Sequence, residues 1–154
     1  MFKNILIPTD GSAVSRKAIK AGIQFAKSLG AKVTGYSGIV MLPYSMFGDG
    51  DIIDKGMASK LDRLQRATAE KYLEEISTAA AAAGVEYAGF TTKPASAFEG
   101  IIETARKKKC DAIFIASRGR SEIKKLLLGL NLAWKVAVVT LNSAWRIKNK
   151  YSLN

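Results

Sequence analysis

Short apolar runs alternate with segments of helical periodicity along most of this chain, and this alternation restricts the possible folds more than any other feature. Between the apolar runs, apolar residues recur every three or four positions, which is typical of amphipathic helices. Strands that alternate with helices form βαβ units, and right-handed crossovers then give a doubly wound parallel sheet covered on both faces. The strand-like runs cover residues 2–7, 31–40, 85–92 and 112–116.

Signals that begin and end helices support this division. Asp10 and Ser12 are both able to cap a first helix. Gly30 ends that helix as glycine commonly does after a last turn, and Gly84 ends the second in the same way. A third helix begins around Ser96 and ends in lysines, which suit the negative end of a helix dipole. The predicted helices cover residues 14–29, 57–83 and 96–109.

Composition excludes several classes of protein and site. The length of 154 residues, 48% of them apolar, predicts one domain over residues 1–154 with a sizeable core. The chain has no histidine, which excludes Ser-His-Asp catalysis and any His-ligated metal site. It has neither an apolar run near the ~18 residues of a membrane span nor a signal-peptide pattern. We therefore expect a cytoplasmic protein without a membrane anchor.

Cys110 is the single cysteine, so no internal disulfide is expected. Two interpretations of this thiol are open. The lysines at 107–109 precede it directly, and neighbouring cations lower a thiol pKa. The alternative, which we favour, is a half-buried structural thiol.

Positive charge is concentrated in the last third of the chain. The net charge is +11, yet residues 1–100 carry 12 basic and 10 acidic side chains, against 12 and 3 in residues 101–154. Such a segment fits a polyphosphate ligand, a nucleic acid or a solvated lysine surface. No recognition motif for DNA or RNA is present, which ranks nucleic acid last.

A glycine-containing basic loop follows the strand at 112–116. Gly119 lies in this loop, and Gly129 comes ten residues later where a helix can begin. Glycines allow backbone N–H groups to approach a ligand closely, and a helix N-terminus adds partial positive charge. The loop also carries four cations, which suits a phosphate-bearing ligand at the carboxyl end of a sheet: Arg118, Arg120, Lys124 and Lys125.

Three segments together resemble the universal stress protein (UspA-like) family. They are Ile-Leu-Ile-Pro-Thr-Asp-Gly-Ser at 5–12, Ala-Lys-Ser-Leu-Gly-Ala-Lys-Val at 26–33, and the block at 115–129. The resemblance covers nearly the whole chain. It implies a flavodoxin-like, five-stranded parallel sheet of order 3-2-1-4-5 and a homodimer, often formed through the last strand.

Many family members bind ATP through a Gly-x2-Gly-x9-Gly-Ser/Thr pattern after strand 4. The matching positions here are Ala116, Gly119, Gly129 and Leu130, so the second and third glycines are kept while the first position and the terminal hydroxyl are changed. By the same resemblance, Asp10 lies near ribose and phosphates, and the backbone at Gly38 contacts adenine. The candidate cofactor-binding residues are Pro8, Thr9, Asp10, Gly38, Ala116, Ser117, Arg118, Gly119, Arg120, Gly129 and Leu130.

Two segments allow more than one interpretation. The loop at 41–54 either covers the site as a lid or is simply packed. By family position, residues 130–141 form a helix and residues 144–148 the last strand, and we favour this arrangement. By propensity, however, residues 136–141 are β-prone.

The leading hypothesis is a cytoplasmic stress-response protein that binds an adenine nucleotide, ATP with Mg²⁺, at the carboxyl edge of the sheet. It would be a binding module rather than an enzyme, with slow ATP hydrolysis at most, since no catalytic base or nucleophile is recognisable. The alternative is a family member that has lost ATP binding and acts through dimerisation and contacts with an unknown protein partner.

Overall fold

The computed structural model describes residues 1–39, 55–116 and 136–140. Within these ranges three helices and five strands follow one another largely as the periodicity predicts. The elements are β1 (Asn4–Pro8), α1 (Ala13–Leu29), β2 (Lys32–Gly38), α2 (Lys55–Ala83), β3 (Tyr87–Thr92), α3 (Ala97–Lys107), β4 (Ala112–Ala116) and β5 (Val136–Thr140).

The five strands form one sheet of order β3-β2-β1-β4-β5, which confirms the predicted order for the first four strands, while the fifth is a different segment from the one predicted. Strands β1 to β4 are parallel, and β1 lies at the centre between β2 and β4. Its Ile5 pairs with Val33 on one side and with Ala112 on the other. The carboxyl ends of these strands therefore meet at one edge of the sheet.

The last strand corrects two predictions. β5 pairs antiparallel with β4, with Phe114 opposite Val138, so the sheet is not parallel throughout. The helix predicted over 130–141 is wrong for Val136–Thr140, which is a strand. Its sequence, Val-Ala-Val-Val-Thr, is mostly β-branched, and such side chains lose freedom in a helix but suit a pleated strand. The predicted strand at 144–148 and the loop at 41–54 lie outside the described residues.

The sheet separates two apolar clusters, as the alternation of side chains along a strand requires. Ile5 and Ile7 face α1 and α2 and pack with Ile23 and Ile76. Leu6, between them in sequence, points to the opposite face. The residues packed around Leu6 on that face, beside α3, are Tyr36, Ile101, Ile102, Ala105, Cys110, Ile113 and Ile115.

All three helices end in the same backbone motif. In each, one N–H bonds the carbonyl five residues earlier and the preceding N–H bonds the carbonyl three residues earlier. The residue that must take a left-handed conformation is Gly30 after α1 and Gly84 after α2, with φ of 62° and 70°. After α3 it is Lys109, with φ of 54°. The predicted ends at Gly30 and Gly84 are thus confirmed.

Cys110 follows Lys109 directly and is buried, with 3% of its surface exposed. Burial raises the pKa of its thiol, and this outweighs the opposing effects of a hydrogen bond with Thr34 and of the charge on Lys32. The alternative with a lowered thiol pKa is therefore wrong, and Cys110 is more deeply buried than the half-buried thiol that we favoured. None of the helices in the described part of the chain combines the length and apolar character that a membrane crossing requires.

Candidate functional site

The carboxyl ends of β1, β2 and β4 bring several of the predicted site residues to one edge. The N–H of Thr9 donates to the carbonyl of Tyr36 at 2.8 Å, which continues the β1–β2 pairing just past Pro8. Gly38 ends β2, and Ala116 ends β4 on the other side of β1. Ligands of doubly wound folds bind beyond such strand ends.

Not all the predicted residues are part of this described edge. It contains Pro8, Thr9, Asp10, Gly38 and the backbone of Ala116. The remaining candidates lie outside the described residues, and they are Ser117, Arg118, Gly119, Arg120, Gly129 and Leu130.

The turn after β1 is closed by its own side chains. Oγ1 of Thr9 accepts from the N–H of Gly11 at 3.2 Å, and Oδ1 of Asp10 accepts from the N–H of Ser12 at 3.0 Å. Gly11 has a φ of 72°, in the left-handed region that glycine adopts without strain. The turn therefore fixes the position of the Asp10 carboxylate relative to the backbone.

Ser12 is the residue that caps α1, which decides between the two predicted caps. Its Oγ accepts from the N–H of Ser15 at 3.1 Å. Oγ of Ser15 in turn donates to the carbonyl of Ser12 at 2.9 Å, and it accepts from Oγ1 of Thr9 at 3.3 Å. Asp10 is the exposed acidic group of this turn.

The pKa of the Asp10 carboxyl is lower than its ordinary value of 3.8. Partial burial acts to raise this pKa, but the hydrogen bonds from Ser12 and Ser15 together outweigh that effect. Asp10 is thus an anion at neutral pH. Such a group accepts hydrogen bonds from sugar hydroxyls and binds cations.

The end of β2 is shaped by a tyrosine that the sequence did not single out. Tyr36 is 2% exposed, and its hydroxyl shares a hydrogen bond of 2.8 Å with Oγ1 of Thr92. A Cβ at Gly38 would lie 3.1 Å from this hydroxyl, and one at Gly100 of α3 would collide with it. The two glycines therefore allow α3 and the strand end to close around Tyr36.

The sequence is similar to those of known proteins. Residues 1–137 match the universal stress protein family. The chain belongs to that family. A universal stress protein from Methanocaldococcus jannaschii is 30% identical to it over 129 residues, which make up 84% of this chain and 72% of the relative. The family resemblance drawn from the three motifs is thereby confirmed.

Solved universal stress proteins share the fold. A family member from Burkholderia pseudomallei matches with a TM-score of 0.68 at 18% identity, over 84% of this chain and 90% of that one. A universal stress protein solved in complex with cAMP matches with a TM-score of 0.51 at 25% identity, over 83% and 85% of the two chains.

In this universal stress protein, a second tyrosine borders the edge and was also missed by sequence reasoning. The ring of Tyr72, on α2, lies against Gly11, where an added Cβ would be 2.7 Å from Cδ1 and would collide with Cε1 and Cζ. No local sequence signal marks Tyr72 as a site residue, because its contact partner, Gly11, lies on a different element. Only the glycine within Thr-Asp-Gly-Ser signals that something packs closely there.

The described residues of this universal stress protein contain no group of three Asp, Glu, Cys or His side chains arranged to hold a metal ion. Asp10 offers a cation one carboxylate group. A divalent cation there would need further oxygen ligands, which a phosphorylated ligand can supply.

Proposed function

We propose that this protein binds an adenine nucleotide at the carboxyl edge of its sheet. The observation that carries the proposal is the turn of Thr9 to Ser12, which presents an ionised Asp10 carboxylate beside the end of β2. The related universal stress protein solved with cAMP supports an adenine nucleotide as the ligand class. ATP with Mg²⁺ is the specific ligand that we propose.

Each part of the edge has a role in this proposal. Asp10 accepts from ribose hydroxyls or shares a Mg²⁺ ion with the phosphates. The backbone at Gly38 contacts adenine. The segment of Ala116 to Arg120 contacts the phosphates, together with Gly129 and Leu130.

We further propose a cytoplasmic, homodimeric binding module rather than an enzyme. The chain has no histidine to act as a general base. Nucleotide occupancy would change contacts with the second subunit or a protein partner, with the loop at 41–54 as the candidate lid. Hydrolysis of ATP, if it occurs, would be slow.

A second candidate function rests on two positions. Ala116 and Leu130 occupy the places of a glycine and a hydroxyl residue in the family's ATP pattern. Leucine at the last position lacks the hydroxyl that could bond a phosphate, and it adds bulk. Both substitutions are expected in a protein that has lost ATP binding and acts through dimerisation and protein contacts.

Titration calorimetry with ATP and Mg²⁺ separates the two candidates. The purified protein is first stripped of nucleotide by unfolding and refolding, and the released material is analysed for adenine nucleotides. We expect micromolar binding, together with a clear loss of affinity in Asp10→Asn. Glu86→Gln is the matched control, because it removes an exposed carboxylate at the start of β3, on the opposite edge.

Two outcomes contradict the proposal. If the titration gives no heat and no nucleotide is released, the result supports the candidate that has lost ATP binding. Binding that Asp10→Asn leaves unchanged would place the nucleotide elsewhere on the protein.

A further inference from the structure

The contact between Tyr72 and Gly11 joins α2 to the turn that presents Asp10. We infer that Tyr72 is a positioning residue for the nucleotide site, because its ring holds the turn in the conformation that orients the Asp10 carboxylate. This inference rests on the proposed function for its ligand, but the contact itself is independent of any ligand.

The space at Gly11 is closed by the ring. A side chain at this position would collide with Cε1 and Cζ of Tyr72, and the φ of 72° is one that other residues adopt only with strain. The ring thus packs on the bare backbone of the turn. Because the Tyr72 ring occupies this space, the Gly11 peptide cannot rotate into it.

The conformation of Gly11 determines the orientation of the carboxylate. The N–H of Ser12, which is the next donor along the chain, bonds Oδ1 of Asp10 at 3.0 Å. The N–H of Gly11 itself bonds Oγ1 of Thr9 at 3.2 Å. A change in the Gly11 backbone therefore moves both donors and releases the carboxylate from its fixed direction.

Tyr72 acts from a rigid support. Its neighbour Leu73 belongs to the buried core, and the Leu73 carbonyl accepts from the hydroxyl of Tyr87 at 2.9 Å. Glu75, on the same helix, pairs with Arg16 of α1 through two bonds of 2.9 and 3.2 Å. These contacts fix α2 against β3 and α1 within one turn of the tyrosine.

The Tyr72 ring packs against the turn and is not part of the apolar core. Tyr72 is half-buried and does not belong to either apolar cluster of the described residues, whereas Leu73 and Ile76 beside it do. Removing the ring therefore removes support for the turn and leaves the main packing of α2 in place. The ring carbons are the atoms nearest Gly11, so the hydroxyl is not required.

Three variants test the inference: Tyr72→Ala, Tyr72→Phe and, as a matched control on the same helix, Lys71→Ala. The first readout is made without nucleotide, by following the Ser12 amide proton in NMR spectra as the Asp10 carboxyl titrates. We expect Tyr72→Ala to raise the pKa of Asp10 toward 3.8, while Tyr72→Phe and Lys71→Ala leave it unchanged.

The second readout is the affinity for ATP with Mg²⁺. Loss of supporting contacts around a binding group should weaken binding by about tenfold in Tyr72→Ala, with full affinity in Tyr72→Phe. If Tyr72→Ala does not fold, as judged by circular dichroism, Tyr72→Leu replaces it, because leucine keeps apolar bulk without the flat ring.

The two readouts distinguish failure of this inference from failure of the proposed function. If the wild type binds no nucleotide but the Asp10 titration still responds to Tyr72→Ala, the ligand is wrong and the positioning role holds. An unchanged Asp10 pKa in Tyr72→Ala overturns the positioning role, whether or not affinity falls, because the ring then does not act through the turn.

Discussion

The carbonyl of Lys108, at the end of α3, accepts a hydrogen bond of 2.9 Å from Nδ2 of Asn4, at the start of β1. Oδ1 of the same Asn4 side chain accepts from Oγ1 of Thr34 at 2.9 Å. One amide group therefore joins β1, β2 and the end of α3 at the amino edge of the sheet. Because Asn4 is 4% exposed, water does not replace these bonds readily.

Asn4→Ala should lower the free energy of unfolding by about 2–3 kcal/mol, since it leaves the partly buried Lys108 carbonyl and the buried Thr34 hydroxyl without this partner. Urea denaturation measures the loss. Ser28→Ala is the control, because Oγ of Ser28 also donates to a helix carbonyl, that of Phe25, but does so in solvent. Equal losses in the two variants would contradict the importance of burial.

Lys109→Gly should stabilise the protein by about 0.5–1 kcal/mol. The left-handed conformation strains a lysine but not a glycine, and the end of α3 is otherwise built like the ends of α1 and α2. The thermal unfolding midpoint should rise accordingly. Lys108→Gly is the matched control: its φ of −93° is ordinary for lysine, so glycine there should give no gain.

Gly30→Ala provides the reciprocal test of the same motif. A Cβ at Gly30 meets nothing within 4 Å, so the substitution changes only the backbone strain. We expect a loss of about 1 kcal/mol in the free energy of unfolding, measured in urea. A neutral result would mean that the end of α1 does not require the left-handed conformation.

Stability should depend on Asp10 in acid. Its folded pKa lies below 3.8, so the carboxylate stabilises the fold above that pH, and the contribution is lost as pH falls through the folded value. Unfolding curves of the wild type and Asp10→Asn should therefore differ at neutral pH and converge in acid. Glu86→Gln controls for the change in net charge, and a difference that persists to pH 2 would contradict the assignment.

Cys110 should be almost inert in the folded protein. Its thiol is 3% exposed and has a pKa raised by burial, so both access and thiolate formation are reduced. Labelling with a disulfide reagent at pH 8 should occur only as the protein opens, and should accelerate with urea. Ser28→Cys in a Cys110→Ala background is the exposed control, and comparable rates without urea would contradict the buried placement.

The sequence predicted best the features that depend on neighbouring residues. The strand at Ala112–Ala116 was predicted with its observed bounds, and Gly30 and Gly84 end their helices as predicted. Apolar periodicity and capping act over one or two turns, so a local reading captures them. The family motifs added the strand order, which no local signal contains.

The last strand shows where local and positional signals conflict. Family position favoured a helix over 130–141, whereas the β-branched residues of Val136–Thr140 favoured a strand, and the structure follows the latter. Its antiparallel direction depends on the path of the chain after β4. Nothing in the composition of the five residues distinguishes an antiparallel strand from a parallel one.

For this protein, the sequence by itself determined the alternation of strands and helices, the caps, the family and the Asp10 turn as a candidate site. Tertiary structure decided which residues support that site. Asn4 and Lys108 are 104 positions apart, and Tyr72 reaches Gly11 from another element. Such contacts arise because the sheet brings distant segments together, and no pattern within one segment contains the identity of the partner.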